Sequence, residues 1–194
     1  PADTEAIKPA IRDANAAGIP VILVNLLEEQ ADVEVAAYIG FDNTEAAQVS
    51  GYAVLDYYGG PGVLGDGEAI DPPDDGYLDL AWWESVYADA DTSAIAAKGV
   101  IIEGISGTFF ADTRNTGFHN AVDPVAGIEV LGSPIPGDWN RELGTAAAED
   151  FLTRYGEGGL DFIWAASNEM GLGAASAAEQ RERLDASGGT TPPE

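Results

Sequence analysis

Three polar or aromatic side chains follow short apolar runs of the sequence and are candidates for contacting a ligand. They are Arg114, Trp139 and Asn168. A guanidinium offers a planar fork of donors that suits vicinal hydroxyls or a carboxylate. An indole stacks on the apolar face of a ring, and an amide donates and accepts hydrogen bonds at once. Together these groups predict binding of a small polyhydroxylated ligand rather than bond-breaking chemistry.

Each of these side chains also has a plain structural interpretation. Arg114 could form a surface salt bridge, because acidic residues are abundant throughout the chain. Trp139 could be a helix-start aromatic residue that packs into the core, and Asn168 could be an ordinary helix cap. The sequence leaves both interpretations open at all three positions.

The elements that would position these residues alternate regularly in the second half of the chain. Apolar runs predict strands at 99–103, 128–132 and 160–166, and amphipathic stretches predict helices at 110–122, 140–155 and 169–183. Strands that alternate with helices of this length are typical of a doubly wound parallel α/β sheet. In such sheets ligands bind outside the carboxyl ends of the strands.

The first part of the chain continues this pattern. A helix is predicted at 9–17, with strands at 19–26 and 35–41 and a further helix that begins near Asp42. The run at 19–26 is nearly all apolar, which predicts a strand buried on both faces of a parallel sheet. The segment 59–97 interrupts the pattern, and we interpret it as a surface excursion with a short helix whose aromatic residues pack back onto the domain.

Charge excludes several classes of partner. The chain of 194 residues carries 34 acidic and 8 basic residues, for a net charge of −26. A surface of this kind repels nucleic acid and anionic lipid, since both require a basic face. The acidity is typical of a solvated surface that stays soluble at high salt. The alternative is divalent-cation binding, for which the acidic loop at 71–79 is the candidate.

The remaining composition argues against an enzyme. Cysteine is absent, and His119 is the only histidine, with no serine or cysteine partner supplied by a motif. No phosphate loop, dinucleotide fingerprint or zinc motif is present. No apolar run is long enough to span a membrane. We therefore expect no catalytic residues, no metal, no cofactor and no direct membrane insertion.

Five segments in order resemble the sugar-binding subunits of ABC transporters with the type I periplasmic-binding-protein fold, and are most similar to ribose-binding proteins. They are GIPVILVN at 18–25, AYIGFDN at 37–43, the segment 104–118, WNRELG at 139–144, and AASNEMGLGA at 165–174. The resemblance implies a protein that captures a monosaccharide by hinge closure of two lobes and delivers it to a membrane permease. It also implies an extracellular or periplasmic location, with a lipid anchor upstream of this chain as one option.

The resemblance assigns roles to individual residues. Arg114 matches the arginine that hydrogen-bonds the sugar, Trp139 the aromatic that stacks on the sugar ring, and Asn168 the asparagine that bonds its hydroxyls. Asn25 stands where the family's other lobe contributes a sugar ligand. Asp42 matches the first of three hinge crossings.

The chain departs from the family in two ways. Ribose binders carry an Asp-Arg pair where Asn25 and Leu26 stand here, which puts ribose itself in doubt. The family's first three strands and its last strands have no counterpart, so we expect a fragment with one lobe largely complete and the other partial. Residues 1–41 would end the N-terminal lobe, and 42–194 would form most of the C-terminal lobe with an insertion at 59–97.

A second function stays open at this point. The ligand-sensing core of LacI-type transcriptional regulators shares the same fold, and a basic helix-turn-helix upstream would identify it. The net charge of −26 argues against proximity to DNA.

Overall fold

The computed structural model describes residues 4–25, 29–61 and 78–184. The chain divides into two compact units, Pro1–Asn43 and Thr44–Glu194. The boundary falls close to the predicted hinge, but the assignment of these units to the two lobes of the family stays a prediction.

The smaller unit contains one helix and a two-stranded parallel sheet. A 3-10 turn at Glu5–Ile7 leads into α1 (Lys8–Ala16), which has a proline in its first turn, where the missing N–H costs nothing. Strand β1 (Ile22–Val24) pairs in parallel with β2 (Ala37–Ile39). The predicted helix and both predicted strands are therefore confirmed, although the strands are shorter than expected.

The prediction that the first strand is buried on both faces is wrong. Ile22 is 55% exposed and Val24 is 68% exposed. A strand is buried on both faces only when other elements, usually helices, cover both sides of its sheet. Among the described residues of this unit, α1 is the only regular helix, so two covering layers are not available.

The larger unit contains a four-stranded sheet and five helices among its described residues. The helices are α2 (Asn43–Tyr57), α3 (Leu80–Tyr87), α4 (Phe109–Val122), α5 (Arg141–Tyr155) and α6 (Asn168–Gln180), and the strands are β3 (Ala97–Glu103), β4 (Ile128–Val130), β5 (Ile135–Pro136) and β6 (Phe162–Ala165). All pairings in this sheet are parallel. The predicted strand at 128–132 is observed as the shorter β4, and β5 is a further strand that the sequence did not predict.

Strand β3 is the centre of this sheet. Gly99 pairs with both Val130 and Phe162, and Ile102 pairs with both Ile135 and Ala165. One side of β3 therefore holds β4 and then β5, and the other side holds β6. All three neighbours run in the direction of β3, so their carboxyl ends meet at one edge.

Helices cover both faces of the larger sheet. On one face, Phe118 of α4 stacks on Trp164 of β6, with ring centroids 4.5 Å apart. On the other face, Met170 of α6 and Ile102 of β3 both lie against Gly137, where an added Cβ atom would meet both side chains. Ile101, Ile102, Phe118 and Met170 are almost fully buried. The structure therefore confirms the predicted α/β architecture with helices on both faces of a parallel sheet.

Helices α5 and α6 pack through glycines at very short range. A Cβ atom at Gly144 would lie 2.6 Å from the Cα of Met170, and one at Gly173 would lie 2.2 Å from the carbonyl oxygen of Arg141. The close neighbour of Gly173 is therefore helix α5 rather than the sheet. Leu143, which directly precedes Gly144, is 45% exposed, because Gly144 and its neighbours occupy the buried face of α5.

The predicted short helix in the 59–97 segment is confirmed as α3. Its Trp83 ring lies parallel to that of Tyr52 on α2, with centroids 6.0 Å apart, and Tyr87 lies 4.8 Å from Tyr52. Trp83 is buried. The aromatic residues of this segment therefore pack back onto the unit, as expected. Residues 62–77 lie outside the described residues.

Candidate functional site

The carboxyl ends of β3, β5 and β6 form the edge of the sheet at which the predicted ligand residues meet. β3 ends at Glu103, β5 at Pro136 and β6 at Ala165. The connections that leave these ends lead into α4, α5 and α6 respectively. This is the edge where open parallel sheets bind ligands.

Arg114 projects from the second turn of α4 toward this edge. Its Nη1 donates a hydrogen bond to the carbonyl oxygen of Ala166, just beyond β6, at 2.6 Å. Burial lowers the pKa of the Arg114 guanidinium from its ordinary value, but the group stays charged at neutral pH. The half-buried cation is thereby fixed at the end of β6.

Trp139 is held in the same place by an unusual backbone conformation. Asp138 and Trp139 have φ angles of 48° and 61°, in the left-handed region that side chains other than glycine rarely adopt. The indole lies directly against Gly104, where a Cβ atom would be 2.0 Å from Trp139 Cζ2. The Cζ atom of Arg114 lies over the indole, 5.1 Å from the ring centroid. We call these two residues the arginine–tryptophan pair.

Asn168 is the first residue of α6 and is exposed. The helix cap is Ser167, whose Oγ accepts a hydrogen bond from the Met170 backbone N–H at 3.5 Å. The structural interpretation of Asn168 as a cap is therefore wrong. Its role toward a ligand stays a prediction, and it begins the helix that follows the strand end to which Arg114 is anchored.

Sequence reasoning missed a polar cluster at the end of β3. The Glu103 carboxylate accepts a hydrogen bond from Ser106 Oγ and another, at 2.8 Å, from Asn115 Nδ2. The signal was present, since Glu103 is an acidic residue that directly follows the apolar run Val100–Ile102 and ends β3. We call Glu103, Ser106 and Asn115 the carboxylate cluster.

Asn25 and Asp42 belong to the smaller unit. Asn25 directly follows β1, is exposed, and has a φ of 61°. Its backbone N–H donates to the Ile39 carbonyl oxygen at 2.6 Å. Asp42 is exposed and directly precedes α2. A ligand role for Asn25 and a hinge role for Asp42 stay predictions.

Other polar residues singled out in the sequence have local structural partners. His119 Nδ1 lies 2.8 Å from Asp123 Oδ1, one turn along α4. Asp79 caps α3, accepting a hydrogen bond from the Ala81 N–H at 2.9 Å. The remainder of the acidic loop lies outside the described residues. Within the described ranges, no group of three potential ligands gathers into a metal site, and no helix combines the length and apolar character of a membrane span.

Comparison with known proteins agrees with this geometry. The profile of the family described as "Periplasmic binding protein domain" matches residues 1–191. The chain belongs to this family.

Curated proteins that this chain resembles in sequence are named as sugar import proteins. The ribose import binding protein RbsB of Bacillus subtilis is 26% identical over 177 residues, covering 91% of this chain and 44% of the relative. RbsB of Escherichia coli is 28% identical over 186 residues, covering 95% of this chain and 49% of the relative. The chain therefore spans about half the length of the curated relatives it matches.

Solved structures confirm the fold. A periplasmic solute binding protein from Actinobacillus succinogenes with bound D-allose superposes with a TM-score of 0.66 at 20% identity, covering 91% of this chain and 50% of that one. A solute binding protein from Mycobacterium smegmatis with bound glycerol gives a TM-score of 0.65 at 24% identity, covering 94% and 50%. The predicted periplasmic-binding-protein fold of type I is therefore confirmed.

Proposed function

We propose that this chain is part of the solute-binding component of an ABC importer and that it captures a monosaccharide. The observation that carries this proposal is the arginine–tryptophan pair at the carboxyl edge of the sheet. The indole and the guanidinium supply apolar contact and directed donors at one place. The names of the curated relatives support transport, and they do not favour the LacI-type regulator considered from the sequence.

The residue roles that we propose combine the chemistry at this edge with the resemblance to the family. The Arg114 fork donates to sugar hydroxyls, Trp139 contacts the apolar face of the ring, and the exposed amide of Asn168 bonds a further hydroxyl. Asn25 contributes from the other lobe, and rotation about a hinge that includes Asp42 brings the lobes together. Such closure is driven by ligand contacts made only in the closed state.

Partner and location follow from this function. An importer component meets its ligand outside the cytoplasmic membrane and passes it to a permease, so we place the protein in the periplasm or on the extracellular side. Its binding surface for the permease is not assigned to particular residues. Addition of the sugar-loaded protein to a reconstituted permease and ATPase should stimulate sugar transport. Absence of stimulation would contradict this part of the proposal.

Calorimetric titration of the full-length protein with a panel of pentoses and hexoses tests the sugar proposal. We expect one or more sugars to bind, and Arg114→Ala to weaken that binding by about tenfold or more, because it removes charge-assisted hydrogen bonds. Arg181→Ala, which removes an exposed arginine beyond α6, is the matched control and should leave affinity unchanged. Absence of binding to every sugar at millimolar concentration would refute the proposal.

A further inference from the structure

The Glu103 carboxylate lies at the centre of the edge that carries the arginine–tryptophan pair. Its strand, β3, has β5 on one side and β6 on the other. The next residue, Gly104, is the one against which the Trp139 indole lies. Asn115, which donates to Glu103, is the neighbour of Arg114 on α4. The carboxylate cluster is therefore linked along the chain to both sides of the pair, through Gly104 and through Arg114.

Asn115 occupies a position where an apolar side chain would be expected. Ala111, Phe118 and Val122 form the buried stripe of α4, and Asn115 falls in this stripe by helical spacing. Its Oδ1 is buried and accepts no hydrogen bond from the described residues. A buried carbonyl without a donor is destabilising. An apolar side chain at this position would avoid that cost.

The side-chain amide of Asn115 holds the Glu103 carboxylate in place. Its Nδ2 donates to Glu103 Oε2 at 2.8 Å, while Ser106 holds Oε1. The opposite orientation of the amide would place Oδ1 against Oε2, and two acceptors would then face each other. The carboxylate is thus fixed at both oxygens by two neutral donors.

A carboxylate held in this way retains acceptor capacity. Its two oxygens offer about four lone-pair positions, and the two donors of the cluster use one on each oxygen. Hydroxyl groups that donate to an ionised carboxylate form strong, short hydrogen bonds. A ligand anion at the same edge would meet repulsion from a half-buried charge that solvent screens poorly.

This charge resolves an ambiguity in the chemistry of Arg114. The guanidinium fork alone suits either vicinal hydroxyls or a carboxylate. We propose that Glu103 is a specificity-determining residue, which accepts hydrogen bonds from hydroxyls of a neutral sugar and disfavours sugar acids and sugar phosphates, and that Asn115 and Ser106 position it. The inference rests on the proposed sugar-binding function and names its ligand class.

The test compares neutral and anionic sugars on matched variants of the full-length protein. Calorimetry would measure galactose against galacturonate, glucose against glucuronate, and ribose against ribose 5-phosphate. The unmodified protein should bind a neutral sugar, and its anionic counterpart much more weakly. Glu103→Gln should lower the neutral-to-anionic affinity ratio by about tenfold or more, since the local charge is removed. Glu149→Gln makes the same change in net charge at an exposed site on α5 and should leave the ratio unchanged.

Two further variants separate positioning from folding. Glu103→Asp keeps the charge but shortens its reach, so discrimination against anions should persist while neutral affinity falls. Asn115→Ala removes one clamp and should weaken neutral binding with little change in the rejection of anions. Both variants should keep the circular dichroism spectrum of the unmodified protein.

The outcomes distinguish this inference from the function on which it rests. If the unmodified protein binds a neutral sugar but Glu103→Gln changes the affinity ratio by less than twofold, the role of Glu103 is refuted and sugar binding stands. Preference of the unmodified protein for an anionic sugar would likewise refute the role of Glu103 and leave sugar binding intact. Failure to bind any sugar would refute both.

Discussion

The two parallel sheets of this chain begin from similar sequence signals and end in different environments. Strand β1 has the sequence Ile-Leu-Val, and strand β3 contains the similar run Val-Ile-Ile at 100–102. In β3, Val100, Ile101 and Ile102 are buried, whereas Ile22 and Val24 of β1 are mostly exposed. The difference lies in what covers the two strands: in the part of the chain that the structure describes, helices pack on both faces of the larger sheet, whereas α1 is the one regular helix of the smaller unit.

This comparison shows that an apolar run specifies a strand but not its burial. Burial depends on residues that are distant in sequence, such as Phe118, which stacks on Trp164 over one face. The predictions below test whether the contrast between the two sheets is energetic as well as geometric.

The largest effect should come from equal truncations in the two sheets. Ile101→Ala removes a side chain that is 1% exposed and should cost about 2–5 kcal/mol of unfolding free energy, through lost burial and a residual cavity. Ile22→Ala should cost less than about 1 kcal/mol, because its side chain is already in water. Urea denaturation of the 194-residue chain measures both. Equal costs would show that the contrast is absent in solution.

A second test concerns the helix pair that covers one face of the larger sheet. Gly173→Ala should destabilise by about 1–3 kcal/mol, because the added Cβ meets the Arg141 carbonyl oxygen of α5. Gly171→Ala, two residues earlier in α6, adds a Cβ atom that meets only Ala165 Cβ, at 3.8 Å. It should be neutral or stabilise by up to about 1 kcal/mol, since alanine is the better helix former. Thermal unfolding would rank the two, and a reversed order would contradict the packing described.

High pH should weaken the larger unit through its aromatic cluster. Burial, and then the nearby Asp56 carboxylate, raise the pKa of the Tyr87 hydroxyl well above its ordinary value. Above about pH 10 an unfolded tyrosine loses its proton while folded Tyr87 keeps it, so stability falls as pH rises from about 10. The slope should approach about 1.4 kcal/mol per pH unit for this group. Tyr87→Phe should flatten it in urea titrations from pH 9 to 11, and an unchanged slope would contradict this cause.

The smallest effect concerns the end of β1. Asn25 has a left-handed backbone that asparagine tolerates better than alanine does. Asn25→Ala should cost about 1 kcal/mol, and Asn25→Gly should be close to neutral. Denaturation midpoints of the two variants check this, and equal midpoints would show that the conformation is not maintained in solution.

Much of the fold was accessible from the sequence because its signals are local. Apolar runs and capping residues predict α1, α4, α5 and α6 and the strands β3, β4 and β6 of the larger sheet, but not the two-residue β5. Local patterns could not show that Gly144, rather than Leu143, faces α6, because that choice depends on the approach of a helix that is distant in sequence. They also could not show the exposure of β1.

The candidate site was predicted in part. The meeting of Arg114 and Trp139 at one sheet edge follows from strand order, and the structure places them together. The carboxylate cluster was missed because it forms only when Asn115, 12 residues along the chain from Glu103, folds back beside that carboxylate. Long-range pairing of this kind leaves no periodic signal in a single sequence.

The guanidinium over the Trp139 indole has an optical consequence. The energy of an excited indole depends on charges near its ring, so a ligand that draws Arg114 away from the 5.1 Å contact should change the emission of Trp139. Tryptophan fluorescence would then report ligand binding without an added label. Trp82, Trp83 and Trp164 would supply a background that belongs to α3 and β6, remote in the chain from the segment that responds.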